Sequence, residues 1–239
     1  MSQSTLLKPP KQRRKVFNRL VETKLWEKVS YPEYRDQVRR VYAGPKGALL
    51  WACSFVSLHS PLGDRLFRQR RFDLRGRKSI LDVGSGAGQI IKHLLKYADA
   101  DATITGLDIS PEMLRRARSR LKSDRPQLLS GDLSRLPFAD GAFDCVTCGY
   151  VLEHLPDARP GLTELARVLA RGGRMLLLTT EDSFGGAWTS RLFLCRTYNR
   201  REILQICRDA GLEPVQELWL SDVHRALRAG GICLELRRV

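Results

Sequence analysis

The sequence lacks an apolar run long enough to span a bilayer. Its longest apolar stretch, residues 48–58, is interrupted by Ser54 and Ser57, whereas a spanning helix needs about 20 predominantly apolar residues. The N-terminal segment also lacks the pattern of a secretory signal, because its basic run leads into an amphipathic segment rather than an apolar core. These absences argue against an integral membrane protein, and we expect a cytoplasmic one.

Cysteine is sparse, and its spacing forms no framework. The six cysteines are scattered along 239 residues, so we expect free thiols rather than disulfides. Cys145 and Cys148 have the C-x-x-C spacing of metal and redox sites. They fall on a predicted strand, where residues three apart point to opposite faces of the sheet. The sequence therefore favours two packed thiols and no metal site.

Acidic residues are scarce in the N-terminal third of the chain. Residues 1–78 contain 19 Lys and Arg against 6 Asp and Glu, a net charge of +13, whereas residues 79–239 contribute only +2 of the total of +15. Such asymmetry indicates an anionic membrane surface, a nucleic acid or an acidic protein as partner, or else a solvated surface. We therefore divide the chain into a basic helical extension or lid, residues 1–78, and a second domain, residues 79–239.

What the sequence does contain is a glycine-rich block that follows a short apolar run. Residues 80–88 read ILDVGSGAG, and apolar residues recur at helical spacing from 90 to 95. This pattern predicts a strand, a tight turn and a helix with free N–H groups at its start. Asp108 closes a second apolar run twenty positions after Gly88, where an acid can accept hydrogen bonds from ribose hydroxyls. The sequence therefore predicts a site for a nucleoside-bearing cofactor.

The glycine spacing separates the candidate cofactors. A dinucleotide site has G-x-G-x-x-G and a P-loop ends in Gly-Lys-Ser/Thr, and neither pattern is present. The block LDVGSGAG instead resembles the first motif of class I S-adenosylmethionine-dependent methyltransferases. Four later segments resemble further motifs of that family in the same order: residues 104–113, 129–133, 143–157 and 168–177. Within the family, the resemblance is to the type 11 domain, which includes quinone C-methyltransferases.

Strands and helices alternate from residue 79 onward, which predicts an α/β fold with a mostly parallel, doubly wound sheet. The resemblance implies that this sheet is Rossmann-like and seven-stranded, with a reversed final hairpin. The predicted strands lie near 79–83, 103–107, 127–130, 144–148, 173–179, 213–220 and 231–238, and the predicted helices near 87–97, 110–122, 160–169 and 199–210. In the N-terminal helical extension, the sequence predicts a basic amphipathic helix over 11–29, a second helix from residue 32, and a break at Pro61-Leu-Gly.

The resemblance implies a site for S-adenosylmethionine built from eleven residues. They are Asp82, Gly84, Ser85, Gly86, Gly88, Asp108, Ile109, Asp132, Leu133, Cys148 and Gly149. In this assignment the glycine loop holds the methionine part, Asp108 the ribose and Asp132 the adenine amino group. Asp82 either meets the cofactor ammonium or caps the turn. Ile109 and Leu133 either enclose the adenine or belong to the core.

The sequence identifies catalytic and acceptor-binding residues less clearly than it identifies the cofactor site. A positioned sulfonium needs no protein base when the acceptor is already nucleophilic. His154, in the segment LEHLPD after the fourth strand, is the candidate base, although relatives use this histidine mostly in structural or water-binding roles. Phe184, Trp188 and Tyr198 offer aromatic surface for a planar or apolar acceptor, or else ordinary core packing.

Three functions stay open at this point. The first is a methyltransferase for a small or lipid-like molecule, anchored peripherally to an anionic membrane through its basic helix. The second is an RNA methyltransferase whose basic arm tracks phosphates, and the third is a non-catalytic assembly factor. The sequence has no Asp/Asn-Pro-Pro-Tyr/Phe motif after the fourth strand and no Pro-Cys pair, which disfavours amino-methylating and cytosine-C5 enzymes. The oligomeric state stays open.

Overall fold

Strands and helices alternate along the part of the chain that the structure describes. The structure, a computed structural model, describes residues 63–183, 195–219 and 231–239, the backbone of 59–62, and the single positions 33, 36, 37, 40, 186, 187, 190, 191 and 222. The strands are β1 (Ser79–Val83), β2 (Thr103–Asp108), β3 (Gln127–Ser130), β4 (Phe143–Gly149), β5 (Leu169–Thr179), β6 (Leu212–Glu217) and β7 (Ile232–Arg238). The helices with full bounds are α1 (His59–Arg68), α2 (Gln89–Tyr97), α3 (Pro111–Leu121), α4 (Ala158–Val168) and α5 (Arg200–Asp209), and a 3₁₀ turn covers Leu152–His154.

The seven strands form one sheet in the order β3-β2-β1-β4-β5-β7-β6. Strands β1 to β5 are mutually parallel, and β7 runs antiparallel to both β5 and β6. The chain order reverses between β1 and β4, and in open α/β sheets such a switch point opens a ligand crevice at the carboxyl ends of the strands. The predicted doubly wound, mostly parallel sheet with a reversed final hairpin is confirmed.

Local sequence signals explain where the helices begin. Ser110 caps α3 with its side chain, and Pro111 occupies the first helical position. Asp157 and Asn199 cap α4 and α5 in the same way. Helix α2 differs, because it begins after Gly88, which has a left-handed backbone and provides no side-chain cap. The first turn of α2 therefore lacks a capping side chain at the edge of the glycine loop.

Among the described residues, two hydrophobic clusters pack α1, α2, α4 and α5 against the sheet. One contains Val146, Cys148 and Leu177 together with side chains of α4 and α5, and the other contains Ile80, Cys145 and side chains of α1 and α2. Cys145 and Cys148 therefore belong to different clusters, as predicted for two residues three apart on a strand. All the cysteines that the structure describes are free and buried.

The end of the predicted extension packs into the core. Leu66, Phe67, Phe72 and Leu74 are buried and share the cluster of Ile80. Residues on both sides of residue 78 therefore share one core, although the two parts of the chain differ in net charge. The domain boundary at residue 78 stays a prediction. The predicted helices over 11–29 and from residue 32 lie outside the described residues, apart from isolated helical positions between 33 and 40.

Three predicted boundaries were wrong, the simplest being the end of β6, which lies at Glu217 rather than at 220. Helix α1 continues through Pro61 and Gly63, because a proline in the first turn gives up an N–H that has no partner within the helix. Strand β5 begins at Leu169 rather than 173, and its pairing with β4 shifts between Phe143 and Cys145. The glycines of the Arg-Gly-Gly segment absorb this irregularity, since Gly172 has φ +74°.

Candidate functional site

The glycine loop, residues 84–88, ties the carboxyl end of β1 to that of β2. The amides of Gly84 and Ser85 donate to the Leu107 carbonyl at 2.7 and 3.0 Å. The buried Ser85 hydroxyl donates to the Asp82 carbonyl at 2.9 Å. The loop is thus fixed to both strands through its backbone, at the place where the sequence predicted a ligand-binding turn.

The three loop glycines have conformational reasons to be glycine. Gly84, Gly86 and Gly88 have φ values of +73°, +52° and +84°, in the region that side chains rarely adopt. Gly84 has a steric reason as well, since a Cβ at this position would lie 2.0 Å from Cγ2 of Val151. The loop therefore packs directly against the segment that follows β4.

Asp108, the predicted ribose acid, lies at the mouth of the loop. Its Oδ2 accepts a hydrogen bond from the Gly86 amide at 2.8 Å, and its Oδ1 accepts one from the Ser110 amide at 2.8 Å. Burial raises the pKa of this carboxyl, while the two amide hydrogen bonds oppose the shift. Each oxygen accepts one backbone hydrogen bond, which leaves acceptor capacity for a ligand hydroxyl.

Asp82 is a buried carboxyl with an unused oxygen. Its Oδ1 accepts a hydrogen bond from the Thr147 hydroxyl of β4 at 2.6 Å, whereas its Oδ2 is buried and has no partner. Burial, assisted by the nearby charge of Asp108, raises the pKa of Asp82 to about 7. An orphaned carboxyl oxygen is costly unless a donor or a cation reaches it. The ligand role predicted for Asp82 is thus compatible with this geometry.

The residues predicted around the adenine differ in burial. Asp132 is half-buried, and its Oδ1 accepts hydrogen bonds from both the amide and the hydroxyl of Ser134 at 2.8 Å. This is the turn geometry of a loop aspartate. Leu133 is buried in the core cluster, which matches the packing alternative, whereas Ile109 is half-exposed beside Asp108. The adenine roles of these residues stay predictions.

The end of β4 packs closely against α2. A Cβ on Gly149 would lie 2.9 Å from Cδ1 of Ile90, so glycine permits this approach. Cys148 is buried, and burial raises the pKa of its thiol well above the ordinary value. Cys148 is therefore a neutral packing group at neutral pH. Both Cys148 and Gly149, which the sequence assigns to the cofactor site, lie beside the crevice.

His154 and Glu153 occupy the 3₁₀ turn that follows β4. Burial lowers the pKa of His154 to about 4, so its imidazole is neutral across the physiological range. Glu153 is buried: its Oε1 accepts hydrogen bonds from the Thr179 hydroxyl at 2.9 Å and the Thr180 amide at 2.6 Å, and its Oε2 has no partner. Glu153 thereby ties the turn to the end of β5. Only the fold reveals this anchoring role, because the partners of Glu153 lie on a segment distant in sequence.

Only one of the three predicted acceptor-binding aromatics lies in the described part of the chain. Tyr198 is 1% exposed and donates a hydrogen bond from its hydroxyl to the Leu152 carbonyl at 2.7 Å. The ring and the hydroxyl of Tyr198 both make contacts within the fold. Tyr198 is therefore a core-packing residue, and the predicted contact with the methyl acceptor was wrong. Phe184 and Trp188 lie outside the described residues.

Taken together, these groups fit S-adenosylmethionine. That cofactor carries a cationic ammonium and sulfonium and a ribose with two hydroxyls, and the crevice offers two carboxyls, one of them with an orphaned buried oxygen. The neutral thiol of Cys148 and the bare backbone of Gly149 lie beside the same crevice. Asp82 and the loop would hold the methionine part, and Asp108 would hold the ribose.

The described residues contain neither a cluster of side chains suited to a metal ion nor a helix suited to a membrane. Within those ranges, no group of three or more His, Cys, Asp or Glu side chains could hold a metal ion. In the same part of the chain, no helix has both the length and the apolar character needed to cross a membrane.

Comparison with known proteins adds independent findings. The family described as a methyltransferase domain matches residues 81–177. A demethylmenaquinone methyltransferase from Corynebacterium glutamicum (strain R) is 32% identical over 170 residues, which cover 68% of each chain. A ubiquinone/menaquinone biosynthesis C-methyltransferase from Geobacter sp. (strain M21) is 33% identical over 118 residues, which cover 48% of this chain and 50% of that protein. The chain spans about half the length of most of the curated relatives it matches.

Solved structures share the fold at lower identity. Magnesium protoporphyrin IX methyltransferase from Synechocystis PCC 6803, solved with bound S-adenosylhomocysteine, superimposes with a TM-score of 0.66 at 21% identity, covering 86% of this chain and all of that one.

Proposed function

We propose that this chain, which belongs to the class I S-adenosylmethionine-dependent methyltransferases, transfers a methyl group to a small, lipid-like acceptor. The acceptor that we favour is the ring carbon of a reduced, prenylated quinone. Two relatives act on this class according to their names, a demethylmenaquinone methyltransferase and a ubiquinone/menaquinone biosynthesis C-methyltransferase.

The observation that carries the proposal is the pair of carboxyls at the carboxyl ends of β1 and β2. Asp108 is held by two backbone amides at the loop mouth, and Asp82 keeps one buried oxygen without a partner. Two acids beside a backbone-lined loop suit a cationic ligand that also carries a ribose. A fold that had lost its cofactor would have no need to keep two carboxyls at the mouth of the glycine loop, which disfavours a non-catalytic role.

The chemistry requires positioning more than acid–base catalysis. When bound, S-adenosylmethionine supplies an electrophilic methyl group, and its sulfur keeps the electron pair of the carbon–sulfur bond that breaks. In a reduced quinone, the hydroxyls make the unsubstituted ring carbon nucleophilic. A carbon–carbon bond forms, the proton on that carbon leaves to water, and the net products are the methylated hydroquinone, S-adenosylhomocysteine and one proton.

The Cys148 thiol and the His154 imidazole can both stay neutral during this reaction. Cys148 is a buried, protonated thiol and does not compete as a nucleophile. His154 is neutral at physiological pH because burial lowers its pKa to about 4, so it is a weak proton acceptor. In this proposal, the electron-rich acceptor provides the driving force, and the protein holds the two reactants in line.

The charge of the chain suits an acceptor that resides in a membrane. Residues 1–78 carry a net charge of +13, and each basic group near an anionic bilayer surface contributes about 1 kcal/mol of attraction. In this proposal the basic N-terminal region brings the crevice to the bilayer surface, where prenylated quinones are dissolved. Contact with the membrane is peripheral.

The test is transfer of a labelled methyl group by the purified full chain. The proposal predicts labelling of reduced demethylmenaquinone in anionic vesicles, no labelling of the oxidised form, and loss of labelling in Asp108→Ala. An exposed aspartate, Asp101, provides the matched control, and Asp101→Ala should retain activity. Labelling of total RNA in place of the hydroquinone would favour the RNA methyltransferase alternative and contradict the proposal.

A further inference from the structure

Tyr150 has an unusual backbone conformation for an aromatic residue. It follows the last residue of β4 and has φ +58°, in the left-handed region that bulky side chains rarely enter. Its amide donates to the Leu178 carbonyl of β5 at 2.8 Å, which fixes the strained conformation. Strain of this kind persists where the surrounding structure enforces it, and it concentrates at functional sites.

The two neighbours of Tyr150 pack closely against α2 and the glycine loop. Gly149 abuts Ile90 of α2, and Val151 abuts Gly84 of the glycine loop. Between them, Tyr150 stays 38% exposed and is one of the few large apolar side chains exposed in the described part of the chain. Tyr150 thus lies partly exposed, with a left-handed backbone, between two closely packed neighbours.

The ring lies on the side of the crevice away from the ribose acid. A Cβ on Gly231, just before β7, would lie 3.8 Å from Cε1 of Tyr150. In the sheet, β7 neighbours β5, whereas Asp108 ends β2 on the other side of β1. The ring therefore stands at the carboxyl ends of β4 and β5 and beside the amino end of β7, where a second substrate would approach a cofactor held at β1 and β2.

We propose that Tyr150 is a specificity-determining residue for the methyl acceptor, and that its ring forms the wall on which a planar acceptor packs. This inference rests on the proposed function, because it concerns the acceptor side of that site. Aromatic rings recognise planar ligands by offset stacking and by burial of apolar surface. A tyrosine that is partly exposed beside the crevice, on a backbone fixed by its hydrogen bond to Leu178, suits such a wall.

The test compares three variants of the full chain. Tyr150→Gly removes the ring and relieves the left-handed strain, Tyr150→Phe keeps the ring, and Arg70→Gly relieves the same kind of strain (φ +56°) at an exposed turn after α1. Affinity for S-adenosylhomocysteine is measured by calorimetry. Affinity for a short-chain menaquinone is measured by fluorescence quenching with S-adenosylhomocysteine present, which requires no turnover. Kinetics use reduced demethylmenaquinone.

We expect Tyr150→Gly to bind S-adenosylhomocysteine within about twofold of the wild type but to bind menaquinone at least roughly tenfold more weakly, with the kinetic loss mainly in KM. Tyr150→Phe and Arg70→Gly should stay within about threefold of the wild type in both affinities. Unchanged menaquinone affinity in Tyr150→Gly, or a wild type that binds no planar ligand, would overturn the assignment. Ring-dependent binding without methyl transfer would support Tyr150 and contradict the proposed function.

Discussion

Replacing Asp82 with asparagine should remove a pH dependence of stability that is built into the fold. The carboxyl is buried, only its Oδ1 has a partner, and burial raises its pKa from 3.8 to about 7. Asparagine has nearly the same shape and can still accept the hydrogen bond from Thr147. Because asparagine cannot ionise, the variant isolates the free energy of ionising this one side chain.

The sign and size follow from the two pKa values. The folded-state pKa lies above the unfolded value, so the folded protein holds the proton more tightly. The stabilising contribution is present at low pH and is lost as pH rises from about 4 through about 7. A shift of about 3 units corresponds to about 4 kcal/mol when the loss is complete, of which about 2.5 kcal/mol falls between pH 5 and pH 8.

Urea denaturation at pH 5, 6, 7 and 8 measures this directly. The free energy of unfolding of the wild type should fall relative to Asp82→Asn by about 2.5 kcal/mol across this range. Asp101→Asn is the matched control: its exposed carboxyl has its pKa lowered by Lys78, so its effect on stability should not vary with pH here. Parallel curves for the wild type and Asp82→Asn would show that Asp82 ionises normally, which would refute the reasoning.

Three further predictions concern the loop, the core and the turn after β4. In urea denaturation, Gly84→Ala should destabilise the protein by at least about 2 kcal/mol more than Gly76→Ala. Both glycines have a left-handed backbone, but of the two only Gly76 has open space for a Cβ. Equal losses of stability would contradict the steric argument. Tyr198→Phe should lower the free energy of unfolding by about 1–2 kcal/mol without changing acceptor KM, and a raised KM with unchanged stability would reinstate it as a binding residue. The rate profile between pH 6 and pH 9 should keep its shape in His154→Gln, because the pKa of His154 is about 4; loss of an inflection near pH 6.5 in the variant would show that this histidine titrates normally.

The sheet could be predicted from the sequence because its signals are local. The apolar run before Gly84, the acid at Asp108 and the Ser110-Pro111 cap each depend on a few neighbouring residues. Predicted and observed bounds agree closely at β1 and β3. The start of β5 was placed four residues late, because its pairing with β4 runs past a glycine irregularity that only the partner strand reveals.

Some site residues could also be predicted from local sequence, whereas others could not. The positions of the loop and of Asp108 could be predicted, since their spacing follows from the strand–turn–helix unit. The hydrogen bond of Tyr198 to Leu152 and the anchoring of Glu153 to Thr179 join segments distant in sequence, and no local pattern encodes them. The left-handed backbone of Tyr150 was equally hidden, because a tyrosine gives no hint of positive φ.

The central claim is that the crevice at β1 and β2 holds S-adenosylmethionine, with Asp108 on the ribose. Calorimetric titration of the full chain with S-adenosylmethionine and S-adenosylhomocysteine tests it most directly, with Asp108→Ala beside the exposed-site control Asp101→Ala. Binding by the wild type and the control, weakened at least about tenfold in Asp108→Ala, is the predicted result. Absence of binding by the wild type, or equal affinity in Asp108→Ala, would contradict the account.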